Sequence, residues 1–327
     1  MIKVPPPVLS ALCAAARLTP EDLTYLGGGR IDSDGISYTY IRDGQAYVLK
    51  ILAFQRGSPD ALLRLEERLK FVHYLGEHGA PIIHPLPRPD GSLYAAQPDG
   101  EHLFVAYTYQ KIEGGSAGRL AWLAPIARPW GMAVGKLHRL AQSYPTWECS
   151  PVGESGRSVL GWREEWQGFS DQCLDWEVKK RWQLIGERLE ALPVQREGFG
   201  FIHNDPHAGN ILVTPSRIVL LDFDVATYHW FINDIAITLQ SLLFGQTGGL
   251  DRPLASAEPL RQFLNEFMEG YRWENQLDPT WLSQIDLFIA YRRVLGYIVM
   301  QDWLNTKPSR QHAWKAMILD EPPILGS

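Results

Sequence analysis

The chain contains 327 residues, of which 45% are hydrophobic and 21% are charged, and its formal net charge at pH 7 is −6. This balance is ordinary for a globular protein, and the length suffices for one large domain or two modest ones. The negative net charge argues against a nucleic-acid backbone as the main partner, because proteins that bind such backbones present basic surfaces. A small cationic substrate remains compatible with this charge.

The cysteines and the apolar segments indicate the compartment. Cys13, Cys149 and Cys173 are far apart, so neither a zinc cluster nor a disulfide framework is predicted. The apolar run 8–16 follows three prolines without a basic leader, so we expect no signal peptide. No stretch approaches the roughly 20 apolar residues of a membrane-spanning helix. We therefore predict a cytoplasmic protein without membrane contact, and the sequence makes no prediction of its oligomeric state.

The first hundred residues are rich in strand signals. Residues 36–41 are β-branched and aromatic, Asp43-Gly44 is typical of a hairpin turn, and residues 45–51 resume as a strand. Alternation places Val48 and Lys50 on the same face of that strand.

One helix and a second hairpin follow in the same region. A helix is predicted from Ser58-Pro59-Asp60 to about His78, because leucine and valine recur at helical spacing and Gly79 follows. Turn residues at 90–91 and 99–100 then predict two further strands, 92–96 and 102–109.

Beyond residue 115 the pattern becomes helical. Helices are predicted at 122–140, 176–192, 234–244, 260–271 and 281–304, with two short β-like segments at 211–213 and 218–223. We therefore predict an α+β protein with a β-rich N-terminal lobe (1–107), a hinge (108–114) and a larger helical lobe (115–327).

The chemistry is concentrated in residues 201–224. An apolar lead-in places His203 and Asp205 at a loop, Asn210 opens a short strand, and Asp222 ends the strand that pairs with it. Such a hairpin brings two carboxylates and one amide oxygen to one end. Phosphoryl transfer needs such a set, because one carboxylate orients the attacking hydroxyl while the other two groups hold magnesium.

At these residues the chain resembles the aminoglycoside phosphotransferase/choline kinase family, whose members are relatives of the protein kinases. The family's loop, His-x-Asp-x-x-x-x-Asn followed by an acidic metal ligand, is matched by His203, Asp205, Asn210 and Asp222. Residues 222–235 look like the bacterial branch that includes the stress-response kinase and spore-coat kinase-like proteins. The resemblance implies a protein-kinase-like two-lobe fold.

The resemblance also implies the site. Asp205 would be the catalytic base, Asn210 and Asp222 the Mg²⁺ ligands, and His203 a brace for the loop. ATP would be the phosphate donor. Two other interpretations of the loop stay open: a capped turn with no chemistry, and a metal-hydrolase cluster of His203, Asp205 and His207.

Nucleotide contacts follow from the same resemblance. Lys50 would steady the ATP phosphates and pair with a helix glutamate, for which Glu67 is favoured over the adjacent Glu66. Only one of the two can face Lys50, because neighbouring helical residues point about 100° apart. Val48 would cover the adenine.

Other elements have weaker assignments. Leu212 and Leu221 would floor the adenine site, or belong to the core. The glycine-rich segment 27–35 lies where a phosphate-covering loop would be, although a flexible turn explains it nearly as well.

Two further aspartates follow the metal-ligand motif. Asp224 is interpreted equally as an outer metal ligand or acceptor contact and as a turn brace. Asp234 is interpreted as a helix N-cap, and the resemblance makes it a support of the catalytic loop.

The phosphate acceptor is the least constrained part. Tyr228 and Trp230 are acceptor-site candidates because they follow the metal segment closely. Tryptophans interleaved with acids in 162–182 indicate either a pocket for an ammonium group or an amphipathic helical pair with its tryptophans packed inward.

Three functions are weighed: a kinase of small-molecule hydroxyls (amino alcohol, amino acid, sugar or aminoglycoside), a protein Ser/Thr kinase, and a non-catalytic kinase-like binding protein. The short interval between Asp224 and Asp234 leaves little room for an activation loop and favours the first.

Overall fold

The computed structural model describes residues 3–28, 35–119, 124–150, 152–153, 159–247, 257–320 and 325. The chain forms two units. The sheet unit contains Met1–Glu113 and Pro151–Val159, and the helical unit contains Gly114–Ser150 and Leu160–Ser327. The strand His102–Gln110 extends into the predicted hinge at 108–114, and the position of that hinge stays a prediction.

The sheet unit consists of five antiparallel strands and two helices. Its elements are α1 (Pro6–Ala15), β1 (Thr24–Gly27), β2 (Ile36–Arg42), β3 (Gln45–Gln55), α2 (Pro59–Glu77), β4 (Ala95–Asp99) and β5 (His102–Gln110). The strand order is β1-β2-β3-β5-β4. The predicted hairpin is confirmed: Arg42 pairs with Gln45, and Asp43 and Gly44 both have positive φ, as the tight turn requires. The predicted helix 58–78 is α2.

Both faces of strand β3 are buried, and each packs on a different cluster. Leu49 and Ile51 pack with Leu12 of α1 on one face. Leu52 packs with Leu65 of α2 on the other. Alternation along the strand therefore assigns Val48 and Lys50 to the face of Leu52. Helix α1 corresponds to the apolar run 8–16, for which the sequence made no helix prediction.

The helical unit surrounds two small sheets. Its elements are β6 (Gly115–Ser116), α3 (Ala127–Ala141), α4 (Trp162–Gln172), α5 (Trp176–Glu190), β7 (Phe199–Ile202), β8 (Ile211–Val213), β9 (Ile218–Leu220), β10 (Thr227–Trp230), α6 (Phe231–Thr247), α7 (Glu258–Glu274), α8 (Ile285–Asn305) and α9 (Pro308–Asp320). One sheet has the order β6-β8-β9, and the other pairs β7 with β10. Helix α9 has no counterpart in the sequence-based prediction. Within the described residues, no helix combines the length and apolar character needed to cross a lipid bilayer.

Helices α3 and α7 approach each other closely. A Cβ atom on Gly131 would overlap the carbonyl oxygen of Phe267, and one on Gly270 would overlap that of Arg128. Glycine is therefore required at both positions for this approach. The contact brings the Tyr271 hydroxyl of α7 within 2.8 Å of His138 Nδ1 in α3.

Candidate active site

The segment from His203 to Asn210 connects β7 to β8 and folds around its own carboxylate. The backbone oxygen of Asp205 accepts hydrogen bonds from the backbone nitrogen of His207 (2.8 Å) and from Nδ2 of Asn210 (3.0 Å). Asn210 Nδ2 also lies 3.3 Å from Asp205 Oδ2, and His207 Nε2 lies 3.4 Å from the same oxygen. The carboxylate of Asp205 is partly exposed, so a ligand can reach it.

His203 is buried beneath this loop, and both of its ring nitrogens are used. Nε2 lies 2.8 Å from the backbone oxygen of Leu221, and Nδ1 accepts from the backbone nitrogen of Asp205. The ring also stacks on Phe223 at 4.2 Å between centroids. The histidine therefore connects the loop of residues 203–210 to the segment that follows β9.

This use of both nitrogens contradicts the metal-hydrolase interpretation. With Nε2 donating and Nδ1 accepting, His203 has no nitrogen lone pair left for a metal ion. Among the described residues, no group of three or more His, Cys, Asp or Glu side chains is arranged to hold a metal. The cluster of His203, Asp205 and His207 is therefore not a hydrolase centre.

Asn204, which no sequence motif singled out, has a left-handed backbone with φ 64°. Its side chain donates to Glu165 Oε2 (2.5 Å) and to the backbone oxygen of Val225 (3.2 Å), and accepts from Asn233 (2.8 Å). Asparagine tolerates this backbone region better than most residues. These bonds hold the strained residue that directly precedes Asp205.

Asp234 is fully buried and accepts bonds from three donors. Oδ2 accepts from the backbone nitrogen of His203 (3.1 Å), and Oδ1 accepts from that of Asn204 (2.8 Å). The N-cap interpretation is wrong, because helix α6 begins at Phe231 and Asp234 lies inside its first turn. The carboxylate of Asp234 accepts hydrogen bonds from the loop that begins at His203, and not from the first turn of its own helix.

The third donor to Asp234 begins a buried polar chain. His138 Nε2 lies 3.1 Å from Asp234 Oδ2, and His138 Nδ1 lies 2.8 Å from the Tyr271 hydroxyl, which accepts from Asn275. Burial lowers the pKa of His138, despite the opposing carboxylate, and raises that of Tyr271. A neutral imidazole that donates to Asp234 and accepts from Tyr271 satisfies every bond in the chain.

Asn210 and Asp222 provide oxygen atoms suited to a divalent cation. The amide nitrogen of Asn210 donates to Asp205, which leaves its amide oxygen for a cation. The backbone oxygen of Asn210 accepts a hydrogen bond from the backbone nitrogen of Leu221. Asp222 is the next residue, so this bond places it near Asn210. Asp222 is exposed. Amide and carboxylate oxygens are the ligands that Mg²⁺ prefers, so these residues fit the predicted ion.

The exact end of the second strand differs from the prediction. Strand β9 ends at Leu220, two residues before Asp222, and Asp222 has φ 61°. The left-handed backbone at Asp222 breaks the extended conformation that the apolar pattern of residues 218–223 predicted.

Arg292 of α8 is a site residue that sequence reasoning missed. Its Nη2 lies 3.2 Å from Asp205 Oδ1, and its Nη1 lies 3.4 Å from the backbone oxygen of Asn204. Arg292 is 87 residues from Asp205 in the chain, and no local pattern indicates the contact. The neighbouring Tyr291 donates to Glu165 Oε1 (2.6 Å), and Glu165 accepts from Asn204.

Two of the predicted acceptor residues lie in the core. Trp230 is completely buried and Tyr228 is 5% exposed, and each donates its polar hydrogen to a backbone oxygen, of Pro193 and Pro145 respectively. Both belong to β10, which pairs with β7. Their assignment to an acceptor site is therefore wrong, because no face of either ring is open to a ligand. Asp224 is partly exposed, and its role stays a prediction.

The tryptophans of residues 162–182 mostly pack inward. Trp162 and Trp182 are buried, and Trp166 and Trp182 each donate an indole hydrogen to the other's backbone oxygen. Trp176 is the exception, at 71% exposure. The amphipathic interpretation holds for the buried rings.

In the sheet unit, Lys50 is buried at 7% exposure and Val48 at 2%. Lys50 pairs with Ser37 of β2 and with Tyr107 of β5 through the backbone ladder. Glu67 and Glu66 both contact Lys70, at 2.7 and 3.0 Å, so their pairing with Lys50 stays a prediction. Most of the glycine-rich segment, residues 29–34, lies outside the described residues.

Leu212 lies within β8 and Leu221 directly follows β9, and both are partly buried. Leu212 pairs with Val219 and with Ser116. Their predicted contact with adenine stays a prediction.

Comparisons with known proteins identify the family. A family model described as the phosphotransferase enzyme family (APH) matches residues 29–281. Amicoumacin kinase of Bacillus subtilis (strain 168) is 31% identical over 306 residues, which cover 91% of this chain and 86% of the relative.

Solved structures agree with this result. The structure of amicoumacin kinase hAmiN in complex with AMP-PNP, Ca²⁺ and Ami has a TM-score of 0.78 at 27% identity, covering 94% of this chain and 90% of that one. The microcompartment-associated aminopropanol kinase shares the fold, with a TM-score of 0.64 at 17% identity over 90% of both chains. The predicted protein-kinase-like α+β fold and the predicted family are confirmed. The chain belongs to the phosphotransferase enzyme family and is an ATP-dependent kinase of small-molecule hydroxyls.

Proposed function

We propose that the chain transfers the γ-phosphoryl group of ATP to a hydroxyl of an antibiotic, with Asp205 as the base and amicoumacin as the first acceptor to test. The observation that carries the proposed reaction is the position of Asp205, whose carboxylate is partly exposed and lies within 3.3 Å of the Asn210 amide. The acceptor follows from the 31% identity to an amicoumacin kinase.

In the proposed step, Asp205 orients the acceptor hydroxyl and takes its proton. The acceptor oxygen then forms a bond to the γ-phosphorus, while the bond from that phosphorus to the β–γ bridging oxygen breaks and ADP leaves. Asn210 and Asp222 would hold Mg²⁺, which neutralises the charge on the phosphate oxygens when bound. Lys50 would contact the phosphates.

His203 and Asp234 would support this step without touching the reactants. Asp234 accepts from two consecutive backbone nitrogens directly before Asp205, and His203 bonds the loop to Leu221. A carboxylate held in one geometry needs less reorganisation during the reaction.

A protein Ser/Thr kinase is less well supported. Strand β10 begins three residues after Asp224, and helix α6 follows it directly at Phe231. This interval has no length for a long activation loop. The presence of Lys50, Asp205, Asn210 and Asp222 argues against a non-catalytic protein.

The test is a panel of acceptors assayed with ATP and Mg²⁺. Amicoumacin and aminopropanol are each incubated with the enzyme, ADP formation is followed, and the product is examined by mass spectrometry for one added phosphoryl group. We expect turnover with amicoumacin. Saturable turnover of aminopropanol alone would redirect the proposal to amino alcohols, and ADP formation without any phosphorylated product would contradict it.

Asp205→Asn is the decisive variant for the proposed base. It keeps the size of the side chain but removes its ability to take a proton, so we expect kcat to fall by about 10²–10⁴-fold. The matched control is the exposed Asp302→Asn in helix α8. A kcat within tenfold of wild type would exclude Asp205 as the base.

A further inference from the structure

Two consecutive side chains link helix α8 to Asn204 and Asp205, one directly and one through Glu165. Arg292 reaches Asp205 Oδ1 (3.2 Å) and the backbone oxygen of Asn204 (3.4 Å). Tyr291 donates to Glu165, which in turn accepts from the side chain of Asn204. The helix therefore determines the position of the loop both directly and through Glu165.

The contact between Arg292 and Asp205 is not an ordinary surface ion pair. The side chain of Arg292 is 13% exposed and that of Asp205 is 29% exposed. Exposed pairs contribute little, because water and salt screen them, whereas a shielded guanidinium–carboxylate hydrogen bond is both stronger and directional. Arg292 is also close enough to the buried His229 for its charge to lower the pKa of that imidazole.

The two oxygens of Asp205 have different partners. Oδ1 accepts from Arg292, whereas Oδ2 lies toward Asn210 and His207. Rotation of the Asp205 carboxylate about its Cβ–Cγ bond would exchange the positions of Oδ1 and Oδ2. The bond from Arg292 opposes that rotation, because turning the carboxylate would move Oδ1 away from its guanidinium donor.

We propose that Arg292 is a positioning residue for Asp205, which it orients so that Oδ2 is the oxygen that takes the acceptor proton. This inference rests on the proposed function of Asp205. Arg292 does not itself touch the reactants. Its guanidinium holds the backbone oxygen of Asn204 and Asp205 Oδ1 together, which a single ammonium group cannot do with the same geometry.

The test compares Arg292→Met and Arg292→Lys with wild type. We expect Arg292→Met to lower kcat by about 10²-fold, the size of effect that a misplaced catalytic group produces, with the KM for ATP changed less than threefold. Arg292→Lys should recover part of the loss. In Arg292→Ala, which leaves space for the ion, guanidinium at millimolar concentration should restore activity, and urea should not. Arg261→Gln, on the exposed face of α7, is the control.

Three results from solution measurements would each overturn the inference. They are a kcat for Arg292→Met within threefold of wild type, a loss of kcat that parallels a loss of thermal stability, and an absence of rescue by guanidinium. A crystal structure of Arg292→Met tests the same point without an acceptor, since an Asp205 carboxylate in the unchanged orientation would also overturn it. Failure of the wild-type enzyme to phosphorylate any acceptor would instead count against the proposed function.

Discussion

Strand β3 and the catalytic loop both position a residue for the proposed reaction, but they do so by different means. Lys50 lies in the middle of an antiparallel sheet, paired on both sides through the backbone. Asp205 lies in an irregular loop, held by side chains from α6, α8 and its own hairpin. The strand is positioned by a repeating ladder and the loop by a few specific bonds.

This difference determines how each region responds to substitution. A ladder continues when one side chain changes, because its hydrogen bonds belong to the backbone. A loop held by buried side chains loses several bonds at once, and each buried donor left without a partner costs about 1–3 kcal/mol. We therefore expect stability effects to concentrate in the loop and catalytic effects to occur in both regions.

Replacing Asp234 should give the largest loss of stability. In Asp234→Leu, two buried backbone nitrogens and His138 lose their acceptor, so we expect the free energy of unfolding to fall by about 3–5 kcal/mol. Urea denaturation followed by tryptophan fluorescence measures this. Asp302→Leu is the control, and Asp234→Asn provides a milder change should the leucine variant not fold. A loss below about 1 kcal/mol would show that the loop does not depend on this carboxylate.

Replacing Lys50 should reduce activity more than stability. Lys50→Met removes the charge proposed to contact the phosphates but leaves the backbone ladder in place, so we expect kcat/KM for ATP to fall by about 10²-fold and the free energy of unfolding to fall by less than in Asp234→Leu. Lys111→Met, which removes the partly exposed partner of Glu113, is the control. If Lys50→Met lowered stability and activity to the same extent, the proposed difference between strand β3 and the loop around Asp205 would be wrong.

The pH dependence of stability should reveal a buried histidine near the loop. Burial, together with Arg292, lowers the pKa of His229 to about 3 from its usual 6.5. Between about pH 6.5 and pH 3, His229 is therefore protonated in the unfolded chain but neutral in the folded chain. The free energy of unfolding is highest above about pH 6.5 and falls as the pH decreases toward 3. We expect His229 to lower the free energy of unfolding at pH 5 by about 2 kcal/mol relative to its value at pH 8.

His229→Phe tests this effect, because the ring lies among Trp230, Phe288 and Tyr291, and its Nε2 has no hydrogen-bond partner in the part of the chain that the structure describes. Urea denaturation at several pH values should show a flatter profile than wild type. His138 retains its own dependence, since its pKa is also lowered by burial. A substitution of the exposed His78 serves as the control.

The smallest expected effect concerns backbone strain. Asn204→Ala and Asn204→Gly both lose the side-chain bonds, but only alanine is strained at φ 64°. We expect the alanine variant to be less stable than the glycine variant by about 1 kcal/mol. Thermal unfolding of the two proteins under identical conditions measures the difference, and equal stabilities would show that the left-handed backbone imposes no cost.

Features encoded locally were predicted well. Alternation and the Asp43-Gly44 turn gave the hairpin of β2 and β3, and helical periodicity gave α2, because these signals act between neighbouring residues. The order of His203, Asp205, Asn210 and Asp222 was sufficient to indicate the family.

Features that depend on residues far apart in the chain were missed. Arg292 contacts Asp205 across 87 residues, and a helical pattern states only that α8 exists. Tyr228 and Trp230 were placed near an acceptor because they follow the metal segment, whereas the pairing of β10 with β7 buries them. The role of Asp234 as an N-cap failed because α6 begins three residues earlier than the apolar pattern indicated.

The sequence by itself therefore determined the family, the fold and the chemical groups of the loop, since residue types and their spacing are properties of a short segment. Only the tertiary structure decided what holds those groups. Asp234, Arg292 and Glu165 come from three different helices, and their contacts with the loop exist only after those helices have packed. The hydrogen-bond partners of a buried carboxylate or guanidinium are the groups that tertiary packing places next to it, and local sequence patterns do not predict them.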